Sequence, residues 1–440
     1  MSRVIVVGGG ITGAGIARDL SLRGIDVTLV ERGMPASGAT GRCHGLLHSG
    51  ARYAVSDPVV AAECAVENRV LRSVARQYVE DTGGLFLATS AEEASYGDKL
   101  LEACRRTGIP MEDVPVAESP NPSAIRCLQT NDAGIDPFLL TLANLYDAER
   151  NGARIMTGIG VRAVGEGSVK LDDGRALKCD VAVNAAGHEF PAIQKNCGMH
   201  VQPDKGTILV TERRVCDVVL NRMRPPSDGD IIVPGHTTSL IGTTSAQSIS
   251  TSPTRDEFRA LMREASALLP SLKGVRVIRA FSGIRPLIGI GDGRSLSRDY
   301  RIEGEHGIIT VAGGKLTTYR LIAEMAADAA MRLLGERGEC KTRSPLPSIL
   351  RGPGGDILCN CEQATDRLVE MDFLRPEDAW KFNRIGFGAC QGMRCARNAA
   401  RGRELLEERW KGVKPVLDDI QMKQSYLSWA SYMSLMEPSQ

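Results

Sequence analysis

Near its start the chain reads Gly8-Gly9-Gly10-Ile11-Thr12-Gly13, a G-x-G-x-x-G string between an apolar run at 3–7 (RVIVV) and a helix-periodic segment at 13–23 closed by Gly24. In that setting Gly8 permits a tight turn, Gly10 lets backbone amides approach a diphosphate, and Gly13 brings the helix close to the strand. Ile11 and Thr12 lie where the helix opens, and its N-terminal amides carry partial positive charge toward a phosphate. Glu31 ends the next apolar run, 26–31 (DVTLVE), 23 residues after Gly8, where a carboxylate can accept ribose hydroxyls; Arg32 follows it. NAD and FAD both satisfy this fingerprint. Gly289-Ile290-Gly291-Asp292-Gly293 sits in a loop before a polar stretch and reads as a turn, so no second nucleotide unit follows. A single nucleotide fold at the N-terminus favours one tightly held flavin.

The other chemistry-bearing group lies near the opposite end. Cys359-x-Cys361 and Cys390-x4-Cys395 are 28 residues apart, and Gly386, Gly388 and Gly392 leave room for amides to approach sulfur. Four thiolates so spaced can hold a [2Fe-2S] cluster or one structural zinc. The other eight of the twelve cysteines are scattered and read as small buried hydrophobes. Twelve scattered cysteines in 440 residues do not make a secreted disulfide scaffold and suggest a reducing compartment.

The elements that must position these groups follow from periodicity. Strands are expected at 3–7, 26–31, 181–185, 207–211, 239–243 and 308–312, and helices at 13–23, 58–78, 97–107, 136–151, 255–269 and 316–334. Residues 335–355 carry three prolines and five glycines, which breaks both periodicities and sets the main domain boundary there. The length predicts two or three domains. A net charge of +1, from 54 basic and 53 acidic residues, argues against nucleic-acid binding, which needs concentrated Lys and Arg. No apolar run approaches the ~20 residues of a membrane span. The chain also enters an apolar strand directly after Met-Ser-Arg, without a signal peptide, so a cytoplasmic protein is expected.

Longer motifs go further. They are Ala36-Ser37-Gly38-Ala39-Thr40-Gly41-Arg42-Cys43-His44-Gly45-Leu46-Leu47-His48-Ser49-Gly50-Ala51-Arg52-Tyr53, Val183-Asn184-Ala185-Ala186-Gly187, Ser282-Gly283-Ile284-Arg285-Pro286-Leu287 and Gly313-Gly314-Lys315-Leu316-Thr317-Thr318-Tyr319-Arg320. In order and spacing they resemble the FAD-dependent glycerol-3-phosphate dehydrogenases, a branch of the D-amino-acid-oxidase-like flavoproteins, over most of residues 1–334. The 39–55 stretch and the cysteine-bearing tail resemble the large catalytic subunit of the anaerobic, three-subunit enzyme. The four cysteines themselves resemble the small [2Fe-2S] domain of bacterioferritin-associated ferredoxin.

The resemblance implies an α/β Rossmann-like FAD domain (1–80, 140–200, 275–334) and an interleaved α+β substrate domain (81–139, 201–274). A linker (335–357) and a small helical iron–sulfur domain (358–440) would follow. Electrons would pass from sn-glycerol 3-phosphate to flavin, then through iron–sulfur centres and partner subunits to a quinone. The chain would sit in the cytoplasm or, through membrane-anchoring partners, on the inner face of the membrane. Flavin contacts are implied for Ser37, Thr40, Gly45, Leu46, His48, Gly187, Gly313, Gly314, Lys315 and Leu316.

A small dianionic substrate needs fixed positive charge, and Arg52, Arg285 and Lys315 can supply it, Arg bidentately and Lys as a point charge. Tyr53 can donate a further hydrogen bond. Oxidation also needs a base for the hydroxyl proton. His48 suits by type, with a structural role as the alternative and His44 a weaker candidate. Lys205-Gly206 is followed by Thr207-Ile208, so the histidine that the aerobic branch carries there has no counterpart. Gly313-Gly314 would aim a helix N-terminus near Leu316 at the flavin pyrimidine. In the tail, Leu417, Ile420, Tyr426, Leu427, Met433 and Met436 form an apolar face expected to pack on the iron–sulfur domain, with docking to a membrane-anchoring partner as the alternative. Arg394, Arg397, Arg401 and Arg403 offset thiolate charge or form a solvated helix face.

Overall fold

The computed structural model describes residues 2–194, 197–291, 293, 296–297, 299–352, 354–375, 378–396 and 402–434. Asp292, Arg397, Arg401 and Met436 lie outside the described residues.

The apolar runs near the N-terminus become the centre of a six-stranded sheet because strands covered on both faces must be apolar throughout. Its order is Tyr300–Glu305, Ile308–Gly313, Val181–Asn184, Arg3–Val7, Asp26–Glu31, Arg154–Thr157, all parallel except the Tyr300–Glu305 edge. Val4, Val6, Val27 and Leu29 are fully buried in it. The helix Ile11–Leu22 covers one face and packs against the helices Pro137–Arg150 and Tyr319–Leu334. From Arg3–Val7 the chain first builds outward through Asp26–Glu31, then returns to pair Val181–Asn184 on the other side. That reversal opens a crevice beyond the strand ends, where ligands of such sheets bind.

A second, nine-stranded sheet forms the other layer. Its spine is the antiparallel pair Val201–Thr211 and Val277–Ile288, in register from Val201↔Ile288 to Val210↔Arg279, with a register shift before Thr211↔Val277. The second strand is not among those that periodicity predicts, since Gly283 and Pro286 interrupt its apolar pattern. They are tolerated because Pro286 pairs with Pro203, so the two positions lacking an amide hydrogen coincide. This pairing places residues 277–288 in the nine-stranded sheet, whereas the cofactor half was expected to begin at 275. The helix expected at 97–107 starts earlier, at Ala91, because the Ser90 side chain accepts the Glu93 amide as an N-cap.

The segment after Leu334 is not a loose linker. Arg18 donates to the carbonyls of Thr342 and Ser344 at 3.1 Å each, and the Leu346 amide donates to Val74 at 2.7 Å. Leu346, Ile349, Leu368, Phe373 and Phe382 join the same core as the nucleotide-side sheet. The terminal helix Asp419–Ser434 packs through Trp429, stacked 5.6 Å from Trp410. Ile420, Tyr426 and Leu427, from the face expected to pack, are exposed instead. Arg394 and Arg403 are also exposed, and Arg403 reaches Glu407 at 3.3 Å.

Candidate functional site

The first glycine cluster is shaped by sterics. Gly8 has φ +107°, and a Cβ there would lie 2.6 Å from the Ala185 carbonyl oxygen. A Cβ on Gly13 would lie 2.0 Å from the Gly8 carbonyl oxygen, so the helix can approach the strand only with glycine at both places. The Thr40 hydroxyl accepts the Ile11 amide at 3.1 Å, and Glu31 accepts the amides of Gly9 and Gly33 at 2.6 and 2.8 Å. Arg32 points outward to Glu189 at 2.7 Å.

These groups open onto a cavity of about 740 Å³. Gly8, Gly10, Ile11, Thr12, Glu31, Arg32 and Gly187 line its nucleotide end, and Ser37, Thr40 and Leu46 its roof. At its far end it meets His48, Arg52, Tyr53, Arg285, Gly313, Gly314, Lys315 and Leu316. Gly13 and Gly45 stand behind the wall and act through packing; a Cβ on Gly45 would meet the Ile135 carbonyl oxygen at 2.5 Å.

At the far end each arginine is held by a carboxylate that sequence reasoning missed. Arg52 is buried and pairs with Asp230 at 3.1 Å, while its Nη1 is buried without a hydrogen-bond partner. Arg285 pairs through Nε with Asp204 at 3.0 Å and donates through Nη2 to the Thr244 carbonyl. Lys315 Nζ stands 4.6 Å above the Tyr53 ring, which meets His48 edge-on at 5.3 Å. Lys205 points away, to Glu257 at 2.8 Å. A Cβ on Gly206 would fall 2.2 Å from Arg285 Nη2, so a larger residue there would displace the guanidinium. Asp204 and Asp230 left no local signal, because their partners lie far along the chain.

His48 donates its amide to Thr317 Oγ1 at 2.9 Å. Burial, then Lys315, Arg52 and His44, holds its imidazole well below the usual histidine range. His44 is pushed down to about 3 by burial and by Arg285 and Arg52, and its Nε2 is buried without a partner. Both rings are therefore neutral near pH 7 and can accept a proton or a hydrogen bond. The final helix of the crevice begins at Tyr319, not near Leu316. The Lys315 amide donates to Thr318 Oγ1 at 3.2 Å, and this side-chain turn holds residues 315–318 out of the helix. Arg320 anchors the helix behind it through a buried bidentate pair with Glu67 at 2.8 and 2.6 Å.

The fit to a flavin dinucleotide rests on this wall. It offers a glycine cradle, a helix N-terminus, and unpartnered buried nitrogens on His44 and Arg52.

The cysteines are drawn together in pairs. Cys359 accepts a hydrogen bond from the Cys395 thiol, which with the amides of Gly386, Glu362 and Cys361 lowers the Cys359 thiol to about 5; Cys361 meets Cys390. Cys395 is raised, first by that bond and then by burial. Among the described residues no three His, Cys, Asp or Glu side chains gather closely enough to hold a metal ion. Gly388 is needed here, since a Cβ would lie 2.6 Å from the Cys361 Cβ.

Comparison with known proteins agrees with this geometry. Residues 3–329 match the family described as FAD dependent oxidoreductase. The chain is 37% identical to an anaerobic glycerol-3-phosphate dehydrogenase subunit of Escherichia coli (strain K12), covering 94% of this chain and 93% of that one. It is 34% identical to an anaerobic glycerol-3-phosphate dehydrogenase subunit of Haloferax volcanii, covering 96% and 89%. Among solved structures, the FAD-bound L-alpha-glycerophosphate oxidase of Mycoplasma pneumoniae shares the fold, with TM-score 0.67 and 20% identity over 79% of this chain and 100% of that one. The chain belongs to the FAD-dependent oxidoreductase family, in the branch of the anaerobic glycerol-3-phosphate dehydrogenase subunits.

Proposed function

We propose that the chain oxidises sn-glycerol 3-phosphate to dihydroxyacetone phosphate. The observation that carries this reading is the convergence of Arg52, Arg285 and Lys315 on one end of a cavity whose other end is built for a dinucleotide. FAD, when bound, supplies the hydride acceptor. Gly8, Gly10, Ile11 and Thr12 hold its diphosphate, and Glu31 its ribose. Arg52 and Arg285, oriented by Asp230 and Asp204, bind the substrate phosphate with Lys315. Tyr53 fixes Lys315 from below and borders the substrate. His48, kept neutral, accepts the hydroxyl proton at an imidazole nitrogen as the C2 hydrogen departs.

Cys359, Cys361, Cys390 and Cys395 are the residues that would hold a [2Fe-2S] cluster. The hydrogen bond from Cys395, and then the amides of Gly386, Glu362 and Cys361, favour thiolate at the Cys359 sulfur, the state an iron ligand needs. That the relatives are themselves named as subunits supports partner chains; these would carry electrons onward to a quinone at the membrane. Among the described residues no helix is long and apolar enough to cross a membrane.

The test is anaerobic mixing of the FAD-loaded chain with glycerol 3-phosphate. The flavin absorbance should bleach. An unbleached, fully loaded flavin overturns the proposal, and a panel of 2-hydroxy acids and secondary amines would then identify the related dehydrogenase it is instead.

A further inference from the structure

A second cavity, of about 900 Å³, lies behind the flavin-side pocket, and Ser37, Cys43 and His44 line both. It forms where the cysteine-bearing tail packs on the body. Lys381, Arg384, Phe387 and Arg409 contribute from the tail, and Arg279 and Phe281 from the Val277–Ile288 strand. Seven Lys and Arg side chains line it against three carboxylates, Glu80, Asp136 and Glu408.

Three of the cations converge on one ring. The guanidinium carbons of Arg279, Arg384 and Arg409 lie 5.6, 5.3 and 4.3 Å from the centre of Phe387. Arg384 is compensated, by Glu362 at 2.9 Å and Asp136 at 3.4 Å. Arg279 and Arg409 have no such contact pair; Glu408 and Glu362 act on Arg279 only from beyond ion-pair distance. These two arginines are 7% and 4% exposed and have no ion-pair partner among the described residues. Nε of both, and Nη2 of Arg409, are buried without hydrogen-bond partners. Stacking on Phe387 satisfies the guanidinium faces but leaves these N–H edges bare. An uncompensated buried charge is costly, and so is a buried donor left unmade.

We propose that this cavity binds a phosphate-bearing organic anion, with Arg279 and Arg409 gripping the phosphate. A phosphate monoester carries close to two negative charges at neutral pH and three acceptor oxygens. That matches two uncompensated guanidinium forks better than a single carboxylate does. Phe138, Leu139, Leu240 and Phe281 offer apolar wall for the organic part. The site is separate from the glycerol 3-phosphate reading and stands without it.

The experiment is calorimetric titration of the full FAD-loaded chain with phenyl phosphate, and with benzoate as the carboxylate arm. Saturable binding of phenyl phosphate, tighter than that of benzoate, is expected. Arg279→Gln and Arg409→Gln should each weaken it about tenfold or more, the loss of a charge-assisted fork. Arg285→Ala should change it little, and both Gln variants should still bleach with glycerol 3-phosphate. Should either Gln variant fail to fold, Arg279→Lys and Arg409→Lys keep the charge, lose the fork, and should still weaken binding severalfold. The proposal is overturned by absent binding, by wild-type affinity in the variants, by equal affinity for benzoate, or by a loss confined to Arg285→Ala.

Discussion

Asp204 and Arg285 are register partners across the Val201–Thr211 and Val277–Ile288 ladder, and their side chains close the same pairing at 3.0 Å. The carboxylate is buried and the guanidinium is partly open to the cavity, so the ladder itself aims a cation at the flavin-side pocket. Asp204→Asn should keep the shape and loosen the aim. KM for glycerol 3-phosphate is expected to rise about tenfold, roughly 1.4 kcal/mol, with the FAD-to-chain ratio unchanged. Loss of FAD along with affinity would show that the pair supports the cofactor instead.

Gly13→Ala tests the crevice at its tightest point. A methyl group 2.0 Å from the Gly8 carbonyl oxygen must push the helix off the strand and spoil the diphosphate cradle. The flavin absorbance per chain after gel filtration should fall severalfold. Full occupancy in the variant would place the cofactor's diphosphate elsewhere.

Asp230 is a buried hub: besides Arg52 it takes Arg224 at 2.6 Å and the Ser227 amide at 2.5 Å. Asp230→Ala strands the buried Arg52 charge and should cost about 3–5 kcal/mol, read as a lowered unfolding midpoint in urea. Arg52→Met with Asp230→Ala should recover part of that loss. No recovery would mean that Arg52 is not the partner that matters.

The two depressed histidines fix a sign for acid sensitivity. His44 titrates near 3 when folded and near 6.5 when unfolded, so below about 6.5 the unfolded chain takes up protons that the folded chain refuses. His48 is shifted in the same direction. Stability is therefore complete above that pH and declines as pH falls from 6.5 toward 3. His44→Gln should flatten the fall of Tm between pH 7.5 and pH 5. In the bleaching reaction His48 should stay neutral below the ordinary histidine range, and an acid limb centred at 6.5 would contradict its placement.

The cysteine pairs make a compositional prediction. Anaerobically purified chain should contain about two iron and two acid-labile sulfide per molecule, the content of one [2Fe-2S] centre. Cys359→Ser and Cys390→Ser should each remove most of both. Zinc without sulfide would refute a redox role for the tail.

Local chemistry was legible before any fold was known. The strand–glycine–helix–strand grammar of residues 3–31 follows from short-range rules, and the structure follows it nearly residue by residue. The start of the last crevice helix was legible only within a turn, because one side-chain hydrogen bond, from the Lys315 amide to Thr318, decides it. The Val277–Ile288 strand was hidden by its own Gly283 and Pro286, whose cost disappears only opposite a matching partner.

By itself the sequence determined which residues could do chemistry: a glycine cradle, three cations in flavin-side motifs, two histidines and two cysteine pairs. Periodicity and residue type settle those within a few turns of chain. Only the tertiary structure decided how they are held. Asp204 reaches Arg285 across 81 positions, Asp230 reaches Arg52 across 178, and Arg279 and Arg409 meet on Phe387 with no ion-pair partner among the described residues. Charge compensation depends on distance in space and on exclusion of water, and neither is written in neighbouring residues.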